Sequence, residues 1–481
     1  MKPFEHDFRY TQATHTTVSA LAVSLQQLGA FVACFAIWPV TKRFGRKRAI
    51  AACAATFCLG AALETANSHS RALFYVGRVI AGLGLGGSSV VVPMFSSEMT
   101  PKQVRGQIGS FYQLMFTLGI FTSYWASPRR TCTLRLLLTF DQIDWGVARD
   151  FAQTDSRMWQ IPIGLQILWA GLLGLGMFTL KESARWLTAR GKHAEAWESL
   201  TWIRADHGPA VQQEMAEIRA GVELEAHARE GFRVTEMLHG QNFRRTLIAS
   251  AVFIAQQATG ATAFAYYGPQ YFKLLVGNNG NSDLLLTAVF GAVKVAACAL
   301  FILFVADTMG RRAILTLGAA FMAACQISTA AVLKTHPAPP SAHVTPSGIA
   351  TIVLIYLFVI AYNFSWGPLP WPYVSEIFPT RTREFGIAVG VASQWLFNFV
   401  FSLTTPYMID NMGWGTFLLW GLFDLCIAAF AWFVLTETQG KSLEEITHLA
   451  PPPASKHLHA EEAGEYNHSE RSGKTPDVDM K

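Results

Sequence analysis

Charge is the scarcest property of this chain. Only 15% of its 481 residues are Asp, Glu, Lys or Arg, whereas about 25% is usual for a soluble domain. Hydrophobic residues make up 51%, and the mean hydropathy is +0.27. This balance argues against a soluble protein and favours an integral membrane protein. The net charge of +5 does not indicate a nucleic-acid partner, because the basic residues form short clusters between apolar runs.

Groups that carry enzyme chemistry are also scarce. Of the seven cysteines, Cys132 stands alone and the others are scattered through apolar runs, so the sequence offers no disulfide framework or metal-ligand spacing. No histidine falls within an apolar run, which argues against a histidine proton relay inside a membrane. No nucleophile–base pair, phosphate loop or metal cluster stands out. We therefore predict a protein that is not an enzyme and that uses no cofactor and no metal.

Long apolar runs are what the chain has in abundance. Runs of about 20 residues, enough for a membrane-spanning helix, recur at about 17–40, 49–67, 72–96, 107–126, 159–180, 246–276, 284–306, 312–333, 348–375, 384–408 and 414–435. These runs, about eleven in all, predict an all-α membrane protein.

Two polar segments divide these runs into regions. We predict an N-terminal helical bundle at 1–180, a cytoplasmic helical linker at 181–245, a C-terminal six-helix bundle at 246–436 and a cytoplasmic tail at 437–481. The tail is rich in Pro, His, Glu and Lys, and we expect it to be largely disordered.

Lysine and arginine mark one side of the membrane. They cluster in alternate loops, such as 42–48 and 311–312, and in the central linker, whereas the intervening loops contain few of them. The positive-inside rule makes the basic side cytoplasmic. This orientation places Met1–Thr16, which lacks a signal-peptide core, outside. A cytosolic N-terminus would need one more span before Thr17.

Two loop motifs occur once in each half. The basic loop at 44–48 has its counterpart at 307–312, and the acidic motif at 98–101 has its counterpart at 376–379. Such repetition predicts two structural repeats with a ligand site between them near the middle of the membrane. The charged residues at these helix ends could form an ion-pair gate that favours one access state; simple positive-inside anchoring is the alternative. The candidate residues of this gate and charge network are Arg78, Glu98, Arg105, Asp307, Arg311, Glu376 and Arg381.

A polar patch interrupts the apolar run at 247–275. It contains Gln256-Gln257, Thr262 and Tyr266. Burying two adjacent amides is costly unless something hydrogen-bonds them. Amides, a hydroxyl and a phenol are neutral donors and acceptors, which suit a neutral polyhydroxyl ligand. The alternative is that the glutamines only join neighbouring helices.

One lysine, Lys294, lies inside the apolar run at 284–306. A bare ammonium is expensive within a membrane. Either the side chain reaches to a helix end, or it has an anionic partner. A substrate anion would fit quinate or a sugar acid better than glucose.

Motifs along almost the whole chain resemble those of the sugar porters of the major facilitator superfamily, in detail the fungal hexose and quinate transporters. The matching pieces are Phe44 to Arg48, Gly77-Arg78, Glu98 with Arg105-Gly106, Gln113, Glu182 to Leu187, Gln256-Gln257 with Gly260, Gly310 to Arg312, Trp366 to Pro368 with Trp371, Gln394-Trp395, and Glu437 with Gly440 to Ser442. Each piece is weakly specific alone, but in this order they are highly specific.

The resemblance implies a major facilitator fold: two helical bundles, a cytoplasmic helical linker and alternating access. It also implies a plasma-membrane location and a central sugar site. The family's sugar contacts, with the polar side chains beside them, fall on Gln113, Gln256, Gln257, Thr262, Tyr266, Trp371, Gln394 and Trp395. Indole rings offer a flat apolar face to a sugar ring and one N–H donor. Interface anchoring is the alternative role for the two tryptophans.

The chain also departs from the family's pattern. The family's first helix is absent, so we expect about eleven membrane helices, twelve minus the first. In proton-coupled members an acid on that helix pairs with the arginine that matches Arg78. We therefore expect Arg78 to have no such partner, which is expensive for a buried arginine. The stretch at 127–144 is longer than the family's connection, as an unspliced intron or an unusual external loop. Thr262 stands where many members have Asn.

The expected function is secondary-active transport of a monosaccharide, a hexose or pentose, with or without coupling to protons. The expected partners are a small sugar or polyol, protons and membrane lipid, with no nucleic acid. Transport of quinate or a sugar acid is the alternative. A nontransporting sugar sensor and a truncated, inactive product of an incorrect gene assembly are two others.

Overall fold

The computed structural model describes residues 2–66, 69–101, 105–124, 156–230, 234–276, 282–305, 309–337, 345–379 and 381–438. The stretch at 127–144, Asp307 and nearly all of the predicted tail therefore lie outside the described residues. Within these ranges every regular element is a helix. This agrees with the predicted all-α class.

The N-terminal half contains one short helix and five long ones. These are α1 Lys2–Asp7, α2 Gln12–Phe44, α3 Arg46–Thr65, α4 Arg71–Met99, α5 Arg105–Tyr124 and α6 Arg157–Thr179. The polar linker follows as three helices and one 3₁₀ turn: α7 Ala184–Ala189, α8 His193–Arg204, α9 Pro209–Arg229 and Val234–Leu238.

The C-terminal half contains the remaining eight helices. These are α10 Gly240–Ala258, α11 Ala261–Val276, α12 Ser282–Phe304, α13 Arg311–Thr335, α14 Pro346–Phe364, α15 Pro370–Glu376, α16 Arg383–Met412 and α17 Gly415–Phe433. Nine spans in the described residues are long and apolar enough to cross a membrane, α10 and α11 counting as one, and α5 and α12 contain two shorter apolar stretches. Together they match the eleven predicted spans.

Local sequence signals set several helix ends. The Ser70 hydroxyl accepts a hydrogen bond from the Leu73 amide at the start of α4, and Thr345 does the same for Gly348 at the start of α14. Side-chain oxygens at this position satisfy amides that lack an intrahelical partner. Gly45 separates α2 from α3 with φ of 95°, a conformation that favours glycine.

Two apolar runs that the sequence predicts as continuous are broken in the structure. The first divides at Thr259-Gly260 into α10 and α11, where Gly260 has φ of 79°. The second divides at 365–369 into α14 and α15. Pro368 and Pro370 have no amide hydrogen to continue the helix. Both breaks free backbone carbonyls close to the polar patch.

Small residues allow α2, α3 and α4 to pack closely. A Cβ at Gly82 would collide with the Gln26 carbonyl, and one at Gly60 would collide with Ala81. Close backbone approach through small residues is a common basis for helix association in membranes. The core of this half is therefore built on glycine and alanine more than on large side chains.

The two halves meet along two helix pairs, α2 with α16 and α5 with α12. On the first pair, the Trp38 and Phe385 rings lie 5.3 Å apart and the Tyr407 hydroxyl donates to Thr17 Oγ1 at 3.1 Å. On the second pair, the Cys298 thiol lies within hydrogen-bonding range of Thr117. The space between these contacts is where the predicted ligand site should lie.

Candidate functional site

Gln256 is the centre of a hydrogen-bonded network between the broken helices. Its Nε2 donates to the carbonyl oxygens of Trp366 and Gly367, at 2.9 and 3.1 Å. Its Oε1 accepts from Gln394 Nε2 at 3.1 Å. The carbonyls of the 365–369 break are thus satisfied by a side chain, which fixes the position of both amides.

Two amide oxygens near Gln256 accept no hydrogen bond from the described residues. Gln257 Oε1 and Gln394 Oε1 are both buried, and no donor among the described residues reaches either one. Buried polar atoms in native proteins are almost always hydrogen-bonded to protein, water or ligand. These two oxygens therefore mark the polar wall of a site for a hydrogen-bond donor, such as a hydroxyl.

Two indoles lie beside these amides. The Trp371 ring packs against Phe253 at 5.1 Å and against Tyr112, from the opposite half, at 6.1 Å. Trp395 Nε1 donates to Ser89 Oγ on α4 at 3.2 Å, so this side chain also joins the two halves. Both tryptophans therefore contact residues of the N-terminal half, Tyr112 and Ser89.

Tyr266 lines the same central space. It keeps 38% of its surface exposed, whereas its neighbour Tyr267 keeps only 2% and donates to the Ser402 carbonyl oxygen at 2.8 Å. The Tyr266 hydroxyl accepts from Asn398 Nδ2 at 3.5 Å and lies close to Gln27 on α2. The sequence interpretation missed Gln27 and Asn398. Gln26-Gln27 is a glutamine doublet like Gln256-Gln257, and that was the available signal.

The N-terminal half contributes a second amide to this space. Gln113 on α5 keeps 9% of its surface exposed. It follows Tyr112, whose ring contacts Trp371. The structure joins Gln256 to Gln394 directly, and the contact of Tyr112 with Trp371 brings α5 next to α15.

On the cytoplasmic side of the N-terminal half, a charged cluster joins α3, α4 and the linker. Glu98 Oε1 accepts from Arg46 Nη2 at 3.0 Å and from Nε at 3.2 Å. Glu182 accepts from the backbone amides of Arg46 and Lys47 at 3.0 and 3.2 Å. The carboxylate thus binds the amides at the start of α3, where the helix dipole favours negative charge.

The C-terminal half repeats this cluster with different residues. Arg311 Nη2 contacts Glu376 Oε1 at 3.3 Å. Glu437 accepts from the backbone amides of Arg311 and Arg312 at 2.8 and 3.1 Å. Glu437 therefore binds the first amides of α13 in the same way as Glu182 binds those of α3. The sequence interpretation quoted both glutamates in the family motifs but did not assign them to the gate.

The glutamate at the start of α13 gives a testable prediction. We expect Glu437→Ala to lower the melting temperature of the detergent-solubilised protein by about 2–4 °C, because two helix-terminal amides lose a charged acceptor. Glu437→Gln keeps an acceptor oxygen and should lose about half as much. Thermal unfolding followed by fluorescence measures both variants. Equal melting temperatures for wild type and Glu437→Ala would show that this contact contributes nothing.

Arg381 and Arg105 are two further arginines predicted for the gate. Arg381 does not pair with Glu376 but with Glu236 of the 3₁₀ turn, at 3.0 Å from Nε and 2.9 Å from Nη2. The hydrogen bonds to Glu236 raise the pKa of Arg381 above its usual range. Arg381 therefore ties the linker to the start of α16. Arg105 begins α5, but its side chain, like Asp307, lies outside the described residues.

The expectation that Arg78 has no acidic partner is wrong. Its Nε lies 3.4 Å from Glu64 Oε2 on α3, and its Nη1 donates to Gln26 Oε1 at 2.9 Å. Glu64 is 1% exposed, and its two oxygens receive no hydrogen bond from the described residues. The sequence interpretation looked for the acid on a preceding helix, whereas the acid lies on the adjacent helix α3.

The chain is similar to known membrane transporters. Residues 2–450 match the family described as "Sugar (and other) transporter". A probable quinate permease of Aspergillus clavatus is 33% identical over 459 residues, which are 93% of this chain and 82% of the relative. A quinate permease of Emericella nidulans is 30% identical over 488 residues, 98% of this chain and 87% of the relative.

The fold is similar to solved transporters. The proton:xylose symporter XylE, solved with 6-bromo-6-deoxy-D-glucose, is 26% identical, with a TM-score of 0.73 and 92% of each chain covered. The partially occluded inward-open form of XylE from E. coli gives a TM-score of 0.72 over 90% of each chain.

Proposed function

Because this chain belongs to the sugar porter family of the major facilitator superfamily and is a multi-pass membrane protein, we propose that its central site carries one small polyhydroxylated molecule across the membrane. The observation that supports this best is that the buried amide oxygens of Gln257 and Gln394 have no donor among the described residues. Trp371 packs against Phe253, one turn before Gln257, and Trp395 directly follows Gln394. Amides bind hydroxyls, and indole faces cover the apolar face of a ring.

The substrate class is a monosaccharide or a closely related cyclic polyol. A hexose or pentose presents hydroxyls at its rim and C–H groups on its faces, which suits this site. Quinate is also a hydroxylated ring, and two relatives carry it in their names. The neutral groups of the site would bind either ring, so the choice depends on a charge beside the site.

Transport proceeds by alternating access between the two halves. The cytoplasmic clusters around Glu98 and Glu376 each stabilise the helix ends of one half. Their breakage and re-formation would bias one access state over the other. The Trp395–Ser89 hydrogen bond crosses the site and would have to break as the halves separate.

Proton coupling is assigned to Glu64 and Arg78. Glu64 is buried between α3 and α4, whereas the Arg78 side chain is 18% exposed, and the one other described polar contact of the pair is Gln26. A proton on Glu64 would remove the negative charge that Arg78 needs, so protonation and helix packing are linked. The chain functions in the plasma membrane as a permease and carries out no covalent chemistry.

Uptake in yeast that lacks its own hexose transporters tests this proposal. We expect the full chain to take up at least one of labelled glucose, xylose, galacturonate and quinate. Gln257→Ala should raise the KM about tenfold, because a hydroxyl loses its amide partner. Gln326, an equally buried amide between α13 and α17 whose two polar atoms also lack a partner among the described residues, is the matched control. Gln326→Ala should retain the wild-type KM in correctly inserted protein, since none of the described contacts of Gln326 involves Gln256, Gln394 or Trp371.

Three outcomes of this assay count against the proposal. Ligand binding without flux would identify a nontransporting sensor. Neither binding nor flux in inserted protein would identify an inactive product. A wild-type KM in both Gln257→Ala and Gln326→Ala would show that the substrate binds elsewhere.

A further inference from the structure

Lys294 lies too deep in the membrane for its ammonium to reach water at a helix end. It is 5% exposed, with residues 282–293 before it and 295–304 after it in α12. At 1.5 Å per residue, each helix end is roughly 15 Å away. A four-carbon side chain cannot span that distance. The alternative that this lysine extends to the membrane surface is therefore wrong.

Within the described ranges, the surroundings of Lys294 contain no compensating acid. No carboxylate among the described residues forms an ion pair with it. The Tyr362 ring lies 5.8 Å from Nζ, and Cys298 lies one turn further along α12. The titratable groups that face it are thus a phenol and a thiol. A cation–π contact offsets only part of the cost of burying an ammonium.

Lys294 adjoins the proposed substrate site on two sides. The Tyr362 side chain lies close to Thr262 and Tyr266. On the other side, Cys298 lies close to Thr117, one turn from Gln113 on α5. The lysine is therefore held between residues of both halves that border the central space.

We propose that Lys294 binds the carboxylate of the transported molecule, so that the preferred substrate is a hydroxylated ring carrying an acid group rather than a neutral sugar. This inference rests on the proposed function and specifies its substrate class. The amides of Gln257 and Gln394 bind the hydroxyls, Trp371 covers the ring, and the ammonium offers its N–H donors to the carboxylate. The Tyr362 ring stabilises the ammonium while the site is empty.

A comparison of quinate with its methyl ester on the wild-type protein tests this without any substitution. The ester keeps the ring and every hydroxyl but has no negative charge. We expect the ester to compete with labelled quinate roughly 10- to 100-fold less well than unlabelled quinate does, the range for one charged hydrogen-bonding contact. Equal competition by acid and ester would overturn the assignment of Lys294.

Substitution of the lysine locates the effect. In Lys294→Met, which keeps length and removes charge, the ratio of quinate uptake to glucose uptake should fall roughly 10- to 100-fold. Lys294→Arg keeps the charge and should retain a ratio closer to wild type. An unchanged ratio in Lys294→Met, or an equal fall with arginine, would contradict the proposal. Wild-type protein that takes up none of glucose, xylose, galacturonate and quinate would instead refute the transport function itself.

Discussion

Glu64→Gln is expected to abolish accumulation of substrate against its gradient while exchange of labelled for unlabelled substrate continues. The substitution keeps the shape of the side chain and removes the group that gains and loses a proton beside Arg78. Wild-type uptake should decrease as external pH rises, because fewer protons are available to neutralise Glu64. Uptake by Glu64→Gln should be flat with pH. Proteoliposomes with an imposed pH gradient measure both quantities.

The controls for this prediction are substitutions of Arg78 and of its neutral partner Gln26. Arg78→Ala leaves Glu64 buried without its cation, which typically costs about 3–5 kcal/mol, so we expect little folded protein. Gln26→Ala removes only the neutral contact to Arg78 and should retain pH-dependent accumulation. Accumulation by Glu64→Gln equal to wild type would show that the proton is carried elsewhere.

Gln256→Leu is expected to reduce uptake about 100-fold, the second large effect. This side chain is 3% exposed and makes three hydrogen bonds. Leucine would leave the carbonyls of the 365–369 break and the Gln394 amide without a partner, at roughly 1–3 kcal/mol for each orphaned group. The break would shift, and Trp371 would shift with it. Uptake kinetics and surface expression are measured in the same cells.

Gln256→Glu keeps the size of the side chain and changes its hydrogen bonding. Glutamate keeps the acceptor for Gln394 but loses the Nε2 donor to Trp366 and Gly367. We expect it to lose uptake nearly as severely as Gln256→Leu. Wild-type kinetics in either inserted variant would mean that the network does not position the site.

The spans were predictable from the sequence because an apolar run of helical length has few alternatives in a membrane. The breaks were less predictable. Gly260, Pro368 and Pro370 indicate where the helices break. The sequence does not show which carbonyls become free or that Gln256 binds them. That pairing joins residues more than a hundred positions apart and depends on how the helices pack.

Side-chain partners were the least predictable part of the site. The Arg78–Glu64 pair forms because glycines let α3 and α4 approach closely, and a Cβ at Gly77 would meet Glu64. Arg381 pairs with Glu236 because the linker folds back toward α16. Gln27 lies in an apolar run, and only its neighbour Gln26 marked it as unusual. Residue type indicated the chemistry of the site, whereas the packing decided which residues share it.

A structure determined with a transported substrate bound tests the central claim most directly. The account predicts one small molecule between the two halves, with hydroxyls on the free oxygens of Gln257 and Gln394 and its ring against Trp371. Density for the substrate on the membrane-facing surface, or within one half and away from these three residues, would contradict it.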